Sequence, residues 1–288
     1  MLISSSLNFH FIAKNDLYKY VDRGLSFMKD AGFDAADFPT WLLTPEIEDV
    51  REFMGKVKEL GESYSIPFRV AHLPFSLRIS TEPEYMPYFN VMMYRAIDAA
   101  HALGVDCAVL HPNAITEPLE SYNAKKNRDC VLSHLSPFAD YAAKLGVKLA
   151  IENMRVVHEH YPTYRFCQDP TDLCDIADTL GIGVCWDFGH AHISGLKQSE
   201  ALRCVGKRLL TVHVNDNHTI DDDHVPPFVG TIDWRDAMKG LADIGYTGLF
   251  NYEINTSRIP SSTGRSFVEY LLSAARELIG YMENSNEG

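Results

Sequence analysis

Five times along this chain an amphipathic stretch ends at a glycine and turns at once into a short apolar run: Ala31-Gly32-Phe33, Leu103-Gly104-Val105, Leu145-Gly146-Val147, Leu180-Gly181-Ile182 and Ile244-Gly245-Tyr246. Glycine at such a junction supplies the left-handed residue that closes a helix. Helix, glycine, strand, repeated, is the order of parallel βα units, whose crossovers are right-handed and so wind in one direction. The runs that read as strands are 2–6, 33–37, 67–73, 105–111, 147–152, 183–187, 209–215 and 248–254. Eight parallel strands are what closes a barrel. The segment 45–64, with Ile47, Val50, Phe53, Met54, Val57 and Leu60 at helical spacings, predicts a helix whose apolar stripe covers that barrel. An open doubly wound sheet obeys the same order, but no G-x-G-x-x-G follows the first strand, so its commonest dinucleotide site is missing. The expected fold is a single α/β domain, a (β/α)8 barrel over 1–283, with a polar tail at 284–288.

Composition narrows the function classes. A chain of 288 residues, 46% of them hydrophobic, is enough for one large core. The formal charge of −13 disfavours a nonspecific grip on nucleic acid or an anionic membrane, which attract clustered Lys and Arg. The six cysteines form no C-x-x-C pair, and Cys107 and Cys185 lie in apolar strand-like runs, which points to a reduced, cytoplasmic chain. The start, MLISSSLNFHF, lacks a basic and apolar leader, and no segment has the ~18 consecutive apolar residues of a membrane span.

The chemistry is carried by position. Six consecutive strands finish on, or within a residue or two of, His72, His111, Glu152, Asp187, His213 and Glu253. In a parallel barrel all strand C-termini open on one face, so these side chains converge there. Glu152 follows Val-Lys-Leu-Ala-Ile and Asp187 follows Val-Cys-Trp, where an unpaired carboxylate is costly unless a cation or several donors meet it. Glu152, Asp187, His213 and Glu253 make a mixed nitrogen and oxygen shell suited to Mn²⁺, Mg²⁺, Co²⁺, Fe²⁺ or Zn²⁺. Beyond strands six and seven, Asp187-Phe188-Gly189-His190 and Asp222-Asp223-His224 bring further ligand types that could hold a second or third ion. A lone histidine at a strand end is more often structural, and on that ground His72 or His111 alone carries little. His10, His101, His134, His158, His160, His192 and His218 read as surface, supporting or core residues.

These pieces together resemble a known family, the xylose-isomerase-like or endonuclease IV-like metal-dependent TIM barrels. The resemblance runs over nearly the whole chain, on Ala71-His72-Leu73-Pro74, Leu110-His111-Pro112-Asn113, Ile151-Glu152-Asn153, Cys185-Trp186-Asp187-Phe188-Gly189-His190-Ala191-His192, His213-Val214-Asn215-Asp216, Asp222-Asp223-His224 and Tyr252-Glu253. In the sugar epimerase and isomerase branch it implies one divalent ion on Glu152, Asp187, His213 and Glu253, with the two glutamates exchanging a proton at the substrate carbon through a metal-bound enediolate and His190 orienting an oxygen. In the endonuclease IV branch it implies three zinc ions on His72, His111, Glu152, Asp187, His190, His213, Asp222, His224 and Glu253, and hydrolysis of a phosphodiester such as abasic DNA.

The loops tilt the reading toward a sugar or sugar-like polyol. The segments 37–43 and 112–117 contain no Lys or Arg with which to hold a duplex backbone. They and their neighbours offer Phe9, Trp41, Phe75 and Phe228 for the apolar face of a small polyol, with ordinary packing as the alternative for each. Trp41, Phe75, Arg155, Asn215 and Arg258 are the expected substrate contacts. The ketose 3-epimerase pattern has an arginine six residues beyond the strand-seven histidine, where this chain has Thr219, which speaks against that particular reaction. A non-catalytic sugar-binding barrel is the third reading. Barrels of this kind often pair, so a homo-oligomer is compatible with the sequence.

Overall fold

The eight strands β1 (Ile3–Ser6), β2 (Ala35–Pro39), β3 (Phe68–His72), β4 (Cys107–Leu110), β5 (Leu149–Glu152), β6 (Gly183–Asp187), β7 (Leu209–His213) and β8 (Phe250–Tyr252) lie parallel, each beside its sequence neighbour, with β8 paired to β1. The computed structural model describes residues 1–12, 16–76, 78–112, 117–157 and 163–284. His158, His160 and residues 285–288 of the expected polar tail lie outside them. Between β7 and β8 the ring is drawn shut by two bonds: the Val214 N–H donates to the Asn251 carbonyl at 2.8 Å and the Glu253 N–H to the Val214 carbonyl at 3.2 Å. The result is the expected (β/α)8 barrel.

Among the described residues eight helices of eight residues or more surround it: α1 (Leu17–Ala31), α2 (Val50–Tyr64), α3 (Met86–Leu103), α4 (Ala124–Leu145), α5 (Pro170–Leu180), α6 (Gln198–Val205), α7 (Trp234–Asp243) and α8 (Gly264–Asn284). Their starts are chemical. Asp16, Asn123, Asp169 and Asp233 each accept a backbone N–H of the first turn. The segment expected to be helical from 45 begins only at Val50, because Asp49 accepts the Glu52 N–H at 2.9 Å and so fixes the start there; Ile47 still packs on the core from the loop. The five junction glycines all have positive φ, from 64° at Gly181 to 102° at Gly32, the conformation that made them visible in the sequence.

The strand pleat sorts side chains into two cores. Phe38, Ala71, Leu110, Ile151, Trp186, Val212, Phe250 and Tyr252 point outward into the layer beneath the helices. Their alternates Ala35, Val70, Cys107, Val109, Ala150, Cys185 and Leu249 form a separate, smaller cluster in the barrel lumen. Moving up one pleat repeat, the lumen-facing positions become Asp37, His72, His111, Glu152, Asp187, His213, Asn251 and Glu253. Among the described residues no helix is long and apolar enough to cross a membrane.

Candidate active site

Strand geometry places the four expected ligands as a set. Glu152, Asp187 and His213 end their strands and Glu253 follows β8 directly, and one ligand atom from each lies within 4.8 Å of the others. His213 Nδ1 stands between the two glutamates, 3.2 Å from Glu152 Oε2 and 2.9 Å from Glu253 Oε2. Glu152 is sealed, whereas 19% of the Glu253 side chain reaches solvent. Asp187 is fixed from two sides: Oδ1 accepts the His190 N–H and Oδ2 accepts the Asn215 amide, both at 2.6 Å. The Asn153 carboxamide clips β5 to β6, donating to the Asp187 carbonyl at 3.0 Å and accepting its N–H at 2.6 Å.

The electrostatics show a demand for positive charge. Burial pushes the Glu152 carboxyl up, but the His213 ring 3.2 Å away, with His190 at 3.3 Å, overcomes that and holds it well below the usual carboxylate range. Glu253 is likewise held low: burial opposes, and the charged His213 prevails, with His224 adding to it. Asp187 goes the other way, pushed up to about 6 by burial, which His190 only partly offsets. For His213 burial favours the neutral ring, yet Cys185 and the two glutamates keep it protonated well above the ordinary histidine range. Both Glu152 oxygens and both His213 nitrogens lack a well-formed hydrogen bond. Buried carboxylates that hold back hydrogen bonds and draw protons onto their histidine are a donor set that a divalent cation fits.

Comparison with known proteins follows this geometry. The model of the xylose isomerase-like TIM barrel family matches residues 25–278. The chain belongs to that family. An uncharacterised protein of Methanocaldococcus jannaschii is 30% identical over 222 residues, 74% of this chain and 73% of that protein. Inosose isomerase of Bacillus licheniformis is 27% identical over 177 residues, 59% of this chain and 60% of the enzyme. Among solved structures, that of an L-ribulose 3-epimerase superposes with a TM-score of 0.75 at 18% identity, covering 99% of this chain and 96% of the other, a likeness of fold.

Above Glu152 and Glu253 this xylose isomerase-like barrel builds a cavity of about 330 Å³, lined also by Trp41, His72, Phe75, His111, Met154, Arg155, Arg165, His190, Asp222 and His224, within the size range of small-molecule sites. One wall is aromatic. The rings of His72 and His111 stack at 5.1 Å, with Trp41 set edge-on against His72 at 5.1 Å and Phe75 over His111 at 4.5 Å. Burial lowers both histidines, leaving them neutral. The opposite wall is ionic. Asp222 receives His190 Nε2 and His224 Nε2, each at 3.2 Å, and Arg155 Nε at 3.1 Å. Burial disfavours the charged ring of His224, but Asp222 wins and holds it up to about 10.

Two expected substrate contacts are placed elsewhere. Asn215 is fully buried, its amide committed to Asp187. Arg258 is exposed and does not line the cavity. Phe9 packs with Phe11 and Phe27, and Phe228 lies against Tyr281, so neither aromatic faces the cavity.

Sequence reading passed over two buried acids. Asp216 accepts the N–H groups of Asn217, Phe228 and Ile232 and the Trp234 indole, all between 2.9 and 3.1 Å, and so shapes the loop that carries Asp222 and His224. Asp37 sits in the lumen below the site, accepting the Asn251 amide at 3.0 Å, while Ser4 donates to the other end of that amide at 2.6 Å. The lumen-facing parity of Asp37 on its strand was the available signal.

Proposed function

We propose that this chain is a divalent-metal-dependent epimerase or isomerase of a sugar or sugar-like polyol. The observation that carries the reading is the four-residue cluster of Glu152, Asp187, His213 and Glu253, whose two glutamates line a cavity with one aromatic and one ionic wall. The sugar epimerase and inosose isomerase among its relatives support it. These four residues would hold the ion. When bound, a divalent cation supplies Lewis acidity that makes the C–H between a carbonyl and a hydroxyl easier to ionise.

The chain's own residues supply the proton transfers. Glu152, held ionised by its histidines, is fit to take the proton as general base. Glu253, on the other side of His213 and reached by solvent, would take up a proton from water and return it to the opposite face of the enediolate. His190, 3.3 Å from Glu152 Oε1, orients the substrate oxygen or the base. The neutral rings of His72 and His111 offer hydrogen bonds to hydroxyls, and Trp41 and Phe75 exclude water.

The His190, Asp222 and His224 cluster is the observation that favours a multinuclear phosphoesterase. Arg155 already lies against Asp222 at 3.1 Å, which supplies a cation where a further metal would sit and leaves one ion as the better reading. The deciding experiment loads the protein with Mn²⁺ and incubates ketoses and inositol derivatives in deuterated water. Deuterium at the carbon beside the carbonyl, one metal per chain, and loss of exchange in Glu152→Gln are expected. Three zinc ions per chain with nicking of an abasic duplex would replace this reading by the hydrolytic one, and binding of sugar without any exchange would leave a sugar-binding barrel.

A further inference from the structure

A second cleft, of about 620 Å³, lies beside the first, and Trp41 lines both. The indole sits on a single turn, Thr40–Leu42, that leaves β2 at the barrel mouth. One side of it meets His72 in the metal-competent cavity, yet 42% of the residue stays exposed. The other side opens toward a floor made by Tyr18, Tyr20, Leu42, Ile47 and Phe53, where the Tyr18 and Phe53 rings meet edge to face at 6.4 Å. Asp16 and Thr44 stand at the same cleft.

Aromatic faces with a few short polar groups suit the alternating C–H and O–H surface of a sugar ring. Among the described residues no Lys or Arg lines this cleft and Asp16 does, so a phosphate there would meet a carboxylate. From this continuity we propose that the substrate is an uncharged glycoside, with the reacting ring in the metal-competent cavity and the second ring across Trp41 in the cleft floored by Tyr18 and Phe53. The inference rests on the epimerase reading and narrows it, excluding sugar phosphates as the preferred class.

The test compares D-fructose, D-fructose 6-phosphate and three disaccharides that carry a hexosyl ring on fructose at different oxygens, lactulose, turanose and isomaltulose, with the Mn²⁺-loaded protein. At least one disaccharide is expected to exceed D-fructose in kcat/KM by about tenfold, the scale of one good aromatic contact, and Tyr18→Ala should shrink that ratio toward one. Equal ratios in the parent and in Tyr18→Ala, or preference for the phosphate, would overturn the glycoside assignment while leaving the epimerase reading standing.

A second readout does not depend on turnover. Of the three tryptophans, Trp186 and Trp234 are buried, so a saturable fluorescence change reports on Trp41. A change with a disaccharide but not with D-fructose, absent from Trp41→Phe, supports the cleft even if no sugar is turned over, in which case the epimerase reading alone fails. No change with any disaccharide sinks the cleft.

Discussion

Two layers of the same strands, one pleat repeat apart, have opposite chemistry. In the lower lumen Val70, Cys107, Val109, Ala150 and Cys185 pack as a small apolar plug. Two residues further along the same strands stand His72, Val109's own successor His111, Glu152 and Asp187, charged or neutral according to their neighbours. A strand advances about 3.3 Å per residue, so roughly 7 Å separates a layer that must exclude polar groups from one that gathers them. The lower layer holds the barrel closed and sets the parity; the upper layer spends that order on a concentrated set of donors. Substitutions in the two layers should therefore fail in different ways.

The largest contrast is in activity. Glu152→Gln should lower exchange of the substrate proton by about 10³-fold, within the range for a positioned acid or base, while its circular dichroism spectrum stays that of the folded barrel. Unchanged turnover would remove Glu152 from its proposed role. The mirror experiment is Val109→Asp, two residues before His111 on the lumen face, which puts an unpaired carboxylate into the apolar plug. It should cost about 4 kcal/mol or more, read as a lowered urea midpoint or as failure to accumulate folded protein; a stable Val109→Asp would mean that the lower layer is wet.

A smaller effect tests how the lower parts support the upper. A Cβ at Gly189 would overlap the Asn215 carboxamide, which in turn holds Asp187. Gly189→Ala should destabilise by about 1–3 kcal/mol and weaken Mn²⁺ binding measured by calorimetry. Full affinity in that variant would show that Asn215 does not position Asp187.

The smallest effect is electrostatic. Against burial, Asp222 holds the folded His224 up to about 10, above the ordinary value near 6.5, and chelator-treated protein is the sample in which to test it. Its contribution to stability is then fully present below about pH 6.5 and is lost as pH rises through about 10. His224→Gln should flatten the decline of Tm between pH 7 and 10; an unaltered slope would mean that the Asp222 pairing contributes nothing to folding. His224 has a left-handed backbone, φ 47°, and its ring donates to the Glu253 carbonyl at 2.9 Å, so the slope with pH, and not the absolute Tm, isolates the charge.

Much of the site was readable because barrel topology converts sequence order into position. Once eight strands are recognised, residues at their ends must meet, and Glu152, Asp187, His213 and Glu253 do. What could not be read were side chains whose roles depend on a neighbour distant in sequence. Asn215 carries the right chemistry for a substrate contact but is taken by Asp187, 28 residues earlier. Asp216 has no local mark of its importance, since the donors it gathers come from a loop whose path the sequence does not state. Strand ends and the start of α2 shifted by one to five residues because caps and pairing, and not hydrophobicity alone, decide where hydrogen bonding begins.

By itself the sequence determined the closed parallel barrel, its direction of winding and the face on which acids and histidines gather, since period, glycine caps and strand parity are local properties that add up along the chain. Only the tertiary structure decided which of those groups answer one another: that Arg155 lies against Asp222, that His72 and His111 stay neutral while His213 and His190 are charged, and that Trp41 stands between two cavities. Charge state and access are set by distances through space across a low-dielectric interior, and those distances do not exist until the ring has closed.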